Sequence, residues 1–148
     1  MSFLKTTEQI RQLGREILPA VAGSAAIYAP IHEREPYQGV RVTRDVRYGP
    51  HERRRLDVFE GEDGLRGKPI FIFVHGGGFV GGDKRQPGSP YNDNVALWAV
   101  RHGMAGVNIT YRLAPEFTFP SGSEDLASAV AWARQNAAEI GGDADRIF

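Results

Sequence analysis

Apolar and polar positions divide this chain into short periodic stretches arranged around one uninterrupted run. Residues 70–74, Ile-Phe-Ile-Phe-Val, are β-branched or aromatic with no polar break. That pattern predicts a strand buried on both faces, as in a parallel sheet covered by helices. Upstream, Val40, Val42 and Val46 predict a first strand, and the alternation breaks at residues 43–45, where a bulge fits. Gly49 and Pro50 turn the chain, and Leu56, Val58 and Phe59 make a second strand. The short connection between the two predicts an antiparallel pair at the sheet edge.

Downstream, Val95, Leu97, Trp98 and Val100 give the apolar face of a helix that starts at Asn92 or Asp93 and runs to about His102, where Gly103 ends it. Val107 and Ile109 mark a strand over residues 104–110. Strand, helix and strand in about forty residues predict a right-handed parallel βαβ unit. Ser121 and Glu124 fit a capping box for a helix carrying Leu126, Val130 and Trp132, which Gly141 and Gly142 terminate. Residues 143–146 read as a turn, and Ile147 and Phe148 as the start of another buried strand. At the N-terminus, Leu4, Ile10, Leu13, Ile17 and Leu18 predict an amphipathic helix over residues 2–18, closed by Pro19. Residues 20–36 follow as a proline-punctuated connector. The expected fold class is therefore α/β, a mostly parallel sheet with helices on both faces. Residues 1–36 form a helix and connector, and residues 37–148 carry the sheet.

Composition narrows the function classes. The 148 residues are 41% hydrophobic and 24% charged, which suits one globular domain. A formal net charge of zero gives no global field for nucleic acid or an anionic membrane. The basic run Arg53-Arg54-Arg55 adjoins Glu52 and Asp57 and reads as a solvated face or edge strand. Without cysteine, disulfides and thiolate metal sites are excluded. No stretch approaches 18 apolar residues, so no membrane span is expected. Charges at Lys5, Glu8, Arg11, Arg15 and Glu16 break up any signal-peptide core, and a cytoplasmic protein is the default expectation.

The chemistry starts where the central apolar run stops. His75 is followed by Gly76, Gly77, Gly78, Phe79, Val80, Gly81 and Gly82, at the strand end where open α/β sheets place their ligands. A backbone without Cβ atoms can aim N–H donors at a developing negative charge, as an oxyanion hole requires. Gly76, Gly78 and Gly81 also satisfy a dinucleotide-binding G-x-G-x-x-G. That motif has to open a helix, and Pro87 and Pro90 follow instead. A glycine turn without chemistry is the plainer alternative. The segment HGGGF at residues 75–79, together with YRLAPE at residues 111–116, resembles the hormone-sensitive-lipase-like carboxylesterase branch of the α/β-hydrolases.

The resemblance implies that the Gly77 and Gly78 amides form the oxyanion hole and that Gly76 allows the turn. It gives His75, Tyr111, Arg112 and Glu116 structural roles, the last two fixing the loop after the strand. Position alone puts Phe79 and Val80 in the acyl or alcohol pocket. The implied activity is serine-dependent hydrolysis of small uncharged esters, with no metal or organic cofactor. In such folds the N-terminal helix often covers the site, although a helix lying on any core has the same periodicity.

An acyl-transfer site also needs a nucleophile, a base and an orienting acid. No G-x-S-x-G occurs in the sequence, and the resemblance ends a few residues short of the strand that would carry it. The nucleophile, acid and base are therefore expected outside these residues, and the chain alone is expected to be inactive. A non-catalytic small-molecule-binding module on the same scaffold, or a split chain, is the alternative. An unpaired strand edge at Ile147 also predicts poor solubility or association, as a homo-oligomer or with a complementing C-terminal half.

Overall fold

The computed structural model describes residues 3–148, and the chain divides into a unit ending at Arg34 and a unit Glu35–Phe148. In the first, α1 (Phe3–Gln12) and α2 (Ile17–Tyr28) are followed by a 3₁₀ turn, Ala29–Ile31. The single helix expected over residues 2–18 is thus two. Its start at Ser2 lies outside the described residues, and Pro19, expected to close it, sits in the first turn of α2. Proline is tolerated there because an N–H in the first turn has no helical acceptor to lose. The expected connector over residues 20–36 is accordingly helical up to Tyr28.

The second unit is a five-stranded sheet in the order β1-β2-β4-β3-β5, built from β1 (Val40–Arg47), β2 (Arg55–Gly61), β3 (Lys68–Val74), β4 (Ala105–Ile109) and β5 (Gly142–Ile147). The edge pair β1 and β2 is antiparallel, with a register shift between Thr43 and Val46 where Asp45 adopts φ 58°. The expected bulge is there. β2 also runs antiparallel to β4, whereas β3 pairs in parallel with both β4 and β5. Two of the four pairings are parallel, so the sheet is mixed.

Strand alternation sends residues to two separate cores. On one face Leu56, Val58, Ile70, Val107 and Ile109 pack with Ala129, Ala133 and Ala137 of and beyond α4 (Ser121–Gln135). On the other, Tyr37, Val40 and Phe59 pack with Ala96, Leu97 and Val100 of α3 (Asp93–Arg101). Gly106 of β4 faces α3, and a Cβ there would stand 2.7 Å from the Ala96 carbonyl oxygen. Glycine at that position lets the crossover helix lie directly on the sheet.

The helix faces correct the periodic reading. Trp98 is half exposed, and the buried side of α3 is made by Ala96, Leu97, Ala99 and Val100. In α4 the inward stripe is Ser121, Asp125, Ala129 and Ala133, while Leu126 is exposed. A stripe of small residues brings the helix axis close to the strands, and its larger neighbours are left to the flank. The capping box is absent: Ser121 is the first helical residue, no side chain caps the helix, and Glu124 reaches Arg112 instead. The helix ends at Gln135, ahead of the expected Gly141 and Gly142, and Gly142 opens β5. Gly142 pairs with Lys68 and Ile147 with Ile70, so residues 143–146, expected to be a turn, belong to β5 as an irregularity in its register. Phe148, expected to be buried, is 70% exposed.

Candidate active site

β3 and β4 run parallel, so the segments that leave their C-terminal ends lie side by side. Residues 75–82 follow β3, and residues 110–120 follow β4. Backbone dihedrals show why the first of these is glycine-rich. Gly77, Gly78 and Gly82 have φ of 129°, 61° and 97°, in the left-handed half of the map that L side chains rarely occupy. A Cβ on Gly77 would overlap the Gly81 carbonyl, and one on Gly82 would overlap the Gly76 carbonyl. Gly76, expected to allow the turn, is not at positive φ and has open space where a Cβ would go. The turn falls on Gly77, Gly78 and Phe79, the last at φ 62°, and is closed by Val80 N–H donating to the Gly77 carbonyl at 3.2 Å.

The amides of Gly77 and Gly78 donate to no acceptor among the described residues. Both glycines are exposed at the strand end. Around them the loop is held tightly. His75 is 3% exposed, its ring stacks on Tyr111 with centroids 4.5 Å apart, and its Nδ1 lies 2.7 Å from the Gly76 oxygen. Tyr111 donates its hydroxyl to the His75 carbonyl at 3.0 Å. The Ala114 amide donates to the Phe79 carbonyl at 2.8 Å, which steadies the unfavourable φ of Phe79. Burial lowers the His75 pKa, and the ring is neutral at pH 7, with Nε2 buried and unpartnered among the described residues.

Arg112 sits where a loop-fixing residue was expected, but Glu116 is not its partner. Glu116 is exposed and makes no hydrogen bond or ion pair among the described residues. The carboxylate that matters is Asp125, fully buried on α4. It takes Arg112 Nε at 2.9 Å, the Arg112 amide at 2.8 Å and Arg54 Nε at 2.7 Å. Burial works to raise the Asp125 pKa, but the bonds from Arg112 and Arg54 outweigh it and hold the group below the usual carboxylate range. Glu124 adds a second contact to Arg112 at 3.0 Å.

The arginine run is therefore no solvated face. Arg54 is bound to buried Asp125, and Arg53 reaches the backbone carbonyls of Tyr111 and Gly82, each at 2.8 Å. A second buried network lies under the α3 side. Arg44 pairs with Asp57 at 2.8 Å and Asp93 at 2.6 Å, and Lys84 pairs with Asp57 at 3.1 Å and Asp45 at 2.7 Å. Lys84 stands two residues past the glycine loop, so this network fixes where the loop rejoins the body. None of these carboxylates was picked out from sequence as a partner. The one available signal was an acid in a position that alternation or helical period assigns to the core, as with Asp57 in β2 and Asp125 in α4.

Beside the turn, Phe79, Phe117 and Phe119 line an apolar cleft of about 210 Å³ with Ala114 and Gly122. Phe79, expected in a pocket, is one of its walls. Val80, also expected in that pocket, is 70% exposed and is not among its walls. A larger cavity, about 280 Å³, includes Lys68 and Ala105, the first residues of β3 and β4. It opens at the wrong end of the sheet for this chemistry. No group of three or more His, Cys, Asp or Glu that could hold a metal ion occurs among the described residues, and no described helix is long and apolar enough to cross a membrane.

Comparison with known proteins agrees with this arrangement. A family model described as BD-FAE matches residues 56–148, from β2 to the last residue. The chain belongs to the BD-FAE family. Carboxylesterase NlhH of Mycobacterium tuberculosis is 41% identical over 80 residues, covering 53% of this chain and 24% of that protein. Esterase LipQ of the same organism is 33% identical over 144 residues, covering 95% of this chain and 31% of LipQ. The chain spans about a quarter to a third of the length of the curated relatives it matches. Among solved structures, esterase B from Lactobacillus rhamnosis superposes with a TM-score of 0.67 at 21% identity, over 98% of this chain and 44% of that one. That likeness establishes the α/β-hydrolase fold. The family match and the esterase relatives bear out the expected hormone-sensitive-lipase-like carboxylesterase branch for this BD-FAE chain.

Proposed function

We propose that this BD-FAE chain supplies the oxyanion-hole part of a serine carboxylic-ester hydrolase acting on small, uncharged esters. The observation that carries the reading is the pair of amides without an acceptor at the exposed Gly77 and Gly78, at the C-terminal end of β3 and beside an aromatic cleft. Attack of a serine hydroxyl on an ester carbonyl moves negative charge onto the carbonyl oxygen, and preorganised N–H donors stabilise it without reorganising. Each such donor contributes about 2.7–4 kcal/mol to lowering the barrier. The nucleophile, its base and the orienting acid belong to residues outside these 148, because the sequence holds no G-x-S-x-G and no serine here stands at a strand-to-helix elbow. The apolar walls of the cleft and the absence of an unpaired charge among them favour an uncharged substrate.

Fluorophosphonate labelling with peptide mapping tests this reading, since the probe reacts only with an activated serine. A labelled polypeptide should yield peptides from residues 56–148 and carry its adduct on a serine that is not among them. An adduct on Ser89, Ser121, Ser123 or Ser128 would refute the assignment, as would the absence of label from every polypeptide that contains these peptides.

A further inference from the structure

Arg53 lies three residues before the stretch that the family model matches, in the connection between β1 and β2, and it is not among the walls of the cleft and has no hydrogen bond to Gly77 or Gly78. Its guanidinium nevertheless donates from Nε to the Tyr111 carbonyl and from Nη2 to the Gly82 carbonyl, both at 2.8 Å. Those two carbonyls belong to the loops after β4 and β3 respectively. Gly82 is the far end of the glycine loop, and Tyr111 holds the near end, donating its hydroxyl to the His75 carbonyl and stacking on the His75 ring. Gly82 also lies against the His75 ring, so closely that a Cβ on it would come within 2.5 Å of Nδ1. A closed circuit results, running from Arg53 to Tyr111, from Tyr111 to His75, from His75 to Gly82 and back to Arg53.

From this circuit we infer that Arg53 is a positioning residue of the oxyanion loop, fixing the distance between its two ends so that the Gly77 and Gly78 amides keep one orientation. Glycine-rich backbone is the least able to hold itself, because it lacks side chains and has the widest range of φ and ψ. Two carbonyls fixed by one planar fork remove that freedom from outside the loop. Arg53 is itself fixed: its carbonyl accepts from Thr110 Oγ1 at 2.6 Å, and its amide donates to His51 Nδ1 at 3.1 Å. The hairpin that carries it is thus bolted to the end of β4.

The inference concerns loop geometry first and rests on the esterase reading only for its catalytic consequence, and the experiment separates the two. ¹⁵N relaxation on the 148-residue chain compares wild type with Arg53→Met, Arg53→Lys and the remote control Arg41→Gln. Order parameters at Gly77 and Gly78 should fall from the rigid range, about 0.85, to below about 0.6 in Arg53→Met, with α4 unchanged. Arg53→Lys should recover part of the loss, and Arg41→Gln should alter nothing. Unchanged values at Gly77 and Gly78, or an equal fall throughout α4, would overturn the clamp. In the ester-hydrolysing polypeptide that carries this stretch, Arg53→Met should lower kcat on the order of 10- to 100-fold with KM little altered. A loosened loop with unchanged kcat would overturn the positioning role and leave the esterase reading intact. A wild-type polypeptide without hydrolysis would sink the esterase reading, and the clamp would then stand or fall on relaxation alone.

Discussion

Two neighbouring loops at the same end of the sheet treat their backbone in opposite ways. After β3, residues 76–79 leave consecutive amides without an acceptor and place three residues at positive φ. After β4, Tyr111 is stacked and hydrogen-bonded, the Arg112 amide and side chain both bind Asp125, and Ala114 donates to Phe79. One loop is assembled to offer donors outward and the other to hold it still. In the proposed oxyanion role, free donors would serve only where the tied ones remove their freedom, which is the general condition for electrostatic preorganisation.

The tied loop should give the largest response to mutation. Asp125→Ala leaves Arg54 and Arg112 without their buried partner, and breaking such a pair costs about 3–5 kcal/mol. Urea unfolding should show a large drop in midpoint, and a midpoint close to wild type would mean that the loop does not depend on this carboxylate. Gly77→Ala comes next, combining a φ of 129° with an overlap against the Gly81 carbonyl. It should cost about 1–3 kcal/mol and distort the turn. Gly76→Ala, one residue earlier, should lie within about 0.5 kcal/mol of wild type, because its φ is ordinary and its Cβ meets nothing. Equal effects at the two glycines would mean that the turn does not depend on the backbone of Gly77.

Acid should dissect the same contrast. His75 has its pKa lowered by burial, so the unfolded chain binds its proton more readily than the folded one. Stability from this group is complete above about pH 6.5, the unfolded value, and falls as the pH drops from there through the folded value. Asp125 has the same sign at lower pH, its contribution being present above about pH 3.9 and lost as the pH falls through its folded value. Denaturation followed against pH should show both steps, and His75→Gln should abolish only the upper one. Glu116→Gln, at the other extreme, should change stability by less than about 0.5 kcal/mol, since the side chain is exposed and without a partner among the described residues.

What could be read in the sequence was whatever depends on near neighbours. The apolar run of β3, the β1–β2 hairpin with its bulge, and the parallel unit β3-α3-β4 all follow from spacing within a few residues. The two motif loops were visible as local strings. Contacts between distant positions were not: Arg54 meets Asp125 across 71 residues, Arg53 meets Tyr111 across 58, and Arg44 meets Asp93 across 49. A polar alternation places an arginine on a surface, and only the fold turns that surface inward. Glu116 shows the converse, a motif charge expected to fix the loop that the fold leaves exposed and without a partner among the described residues. Pro19 misled for a different reason, since a proline both ends helices and begins them.

In the proposed reaction the Gly77 and Gly78 amides meet the charge that ester attack creates. Amide proton shifts of Gly76, Gly77 and Gly78, measured before and after phosphonate labelling of the polypeptide that carries this stretch, test that directly. If these donors hold the phosphonyl oxygen, the Gly77 and Gly78 protons move downfield together and Gly76 stays in place. A fully labelled serine with Gly77 and Gly78 unmoved would contradict it.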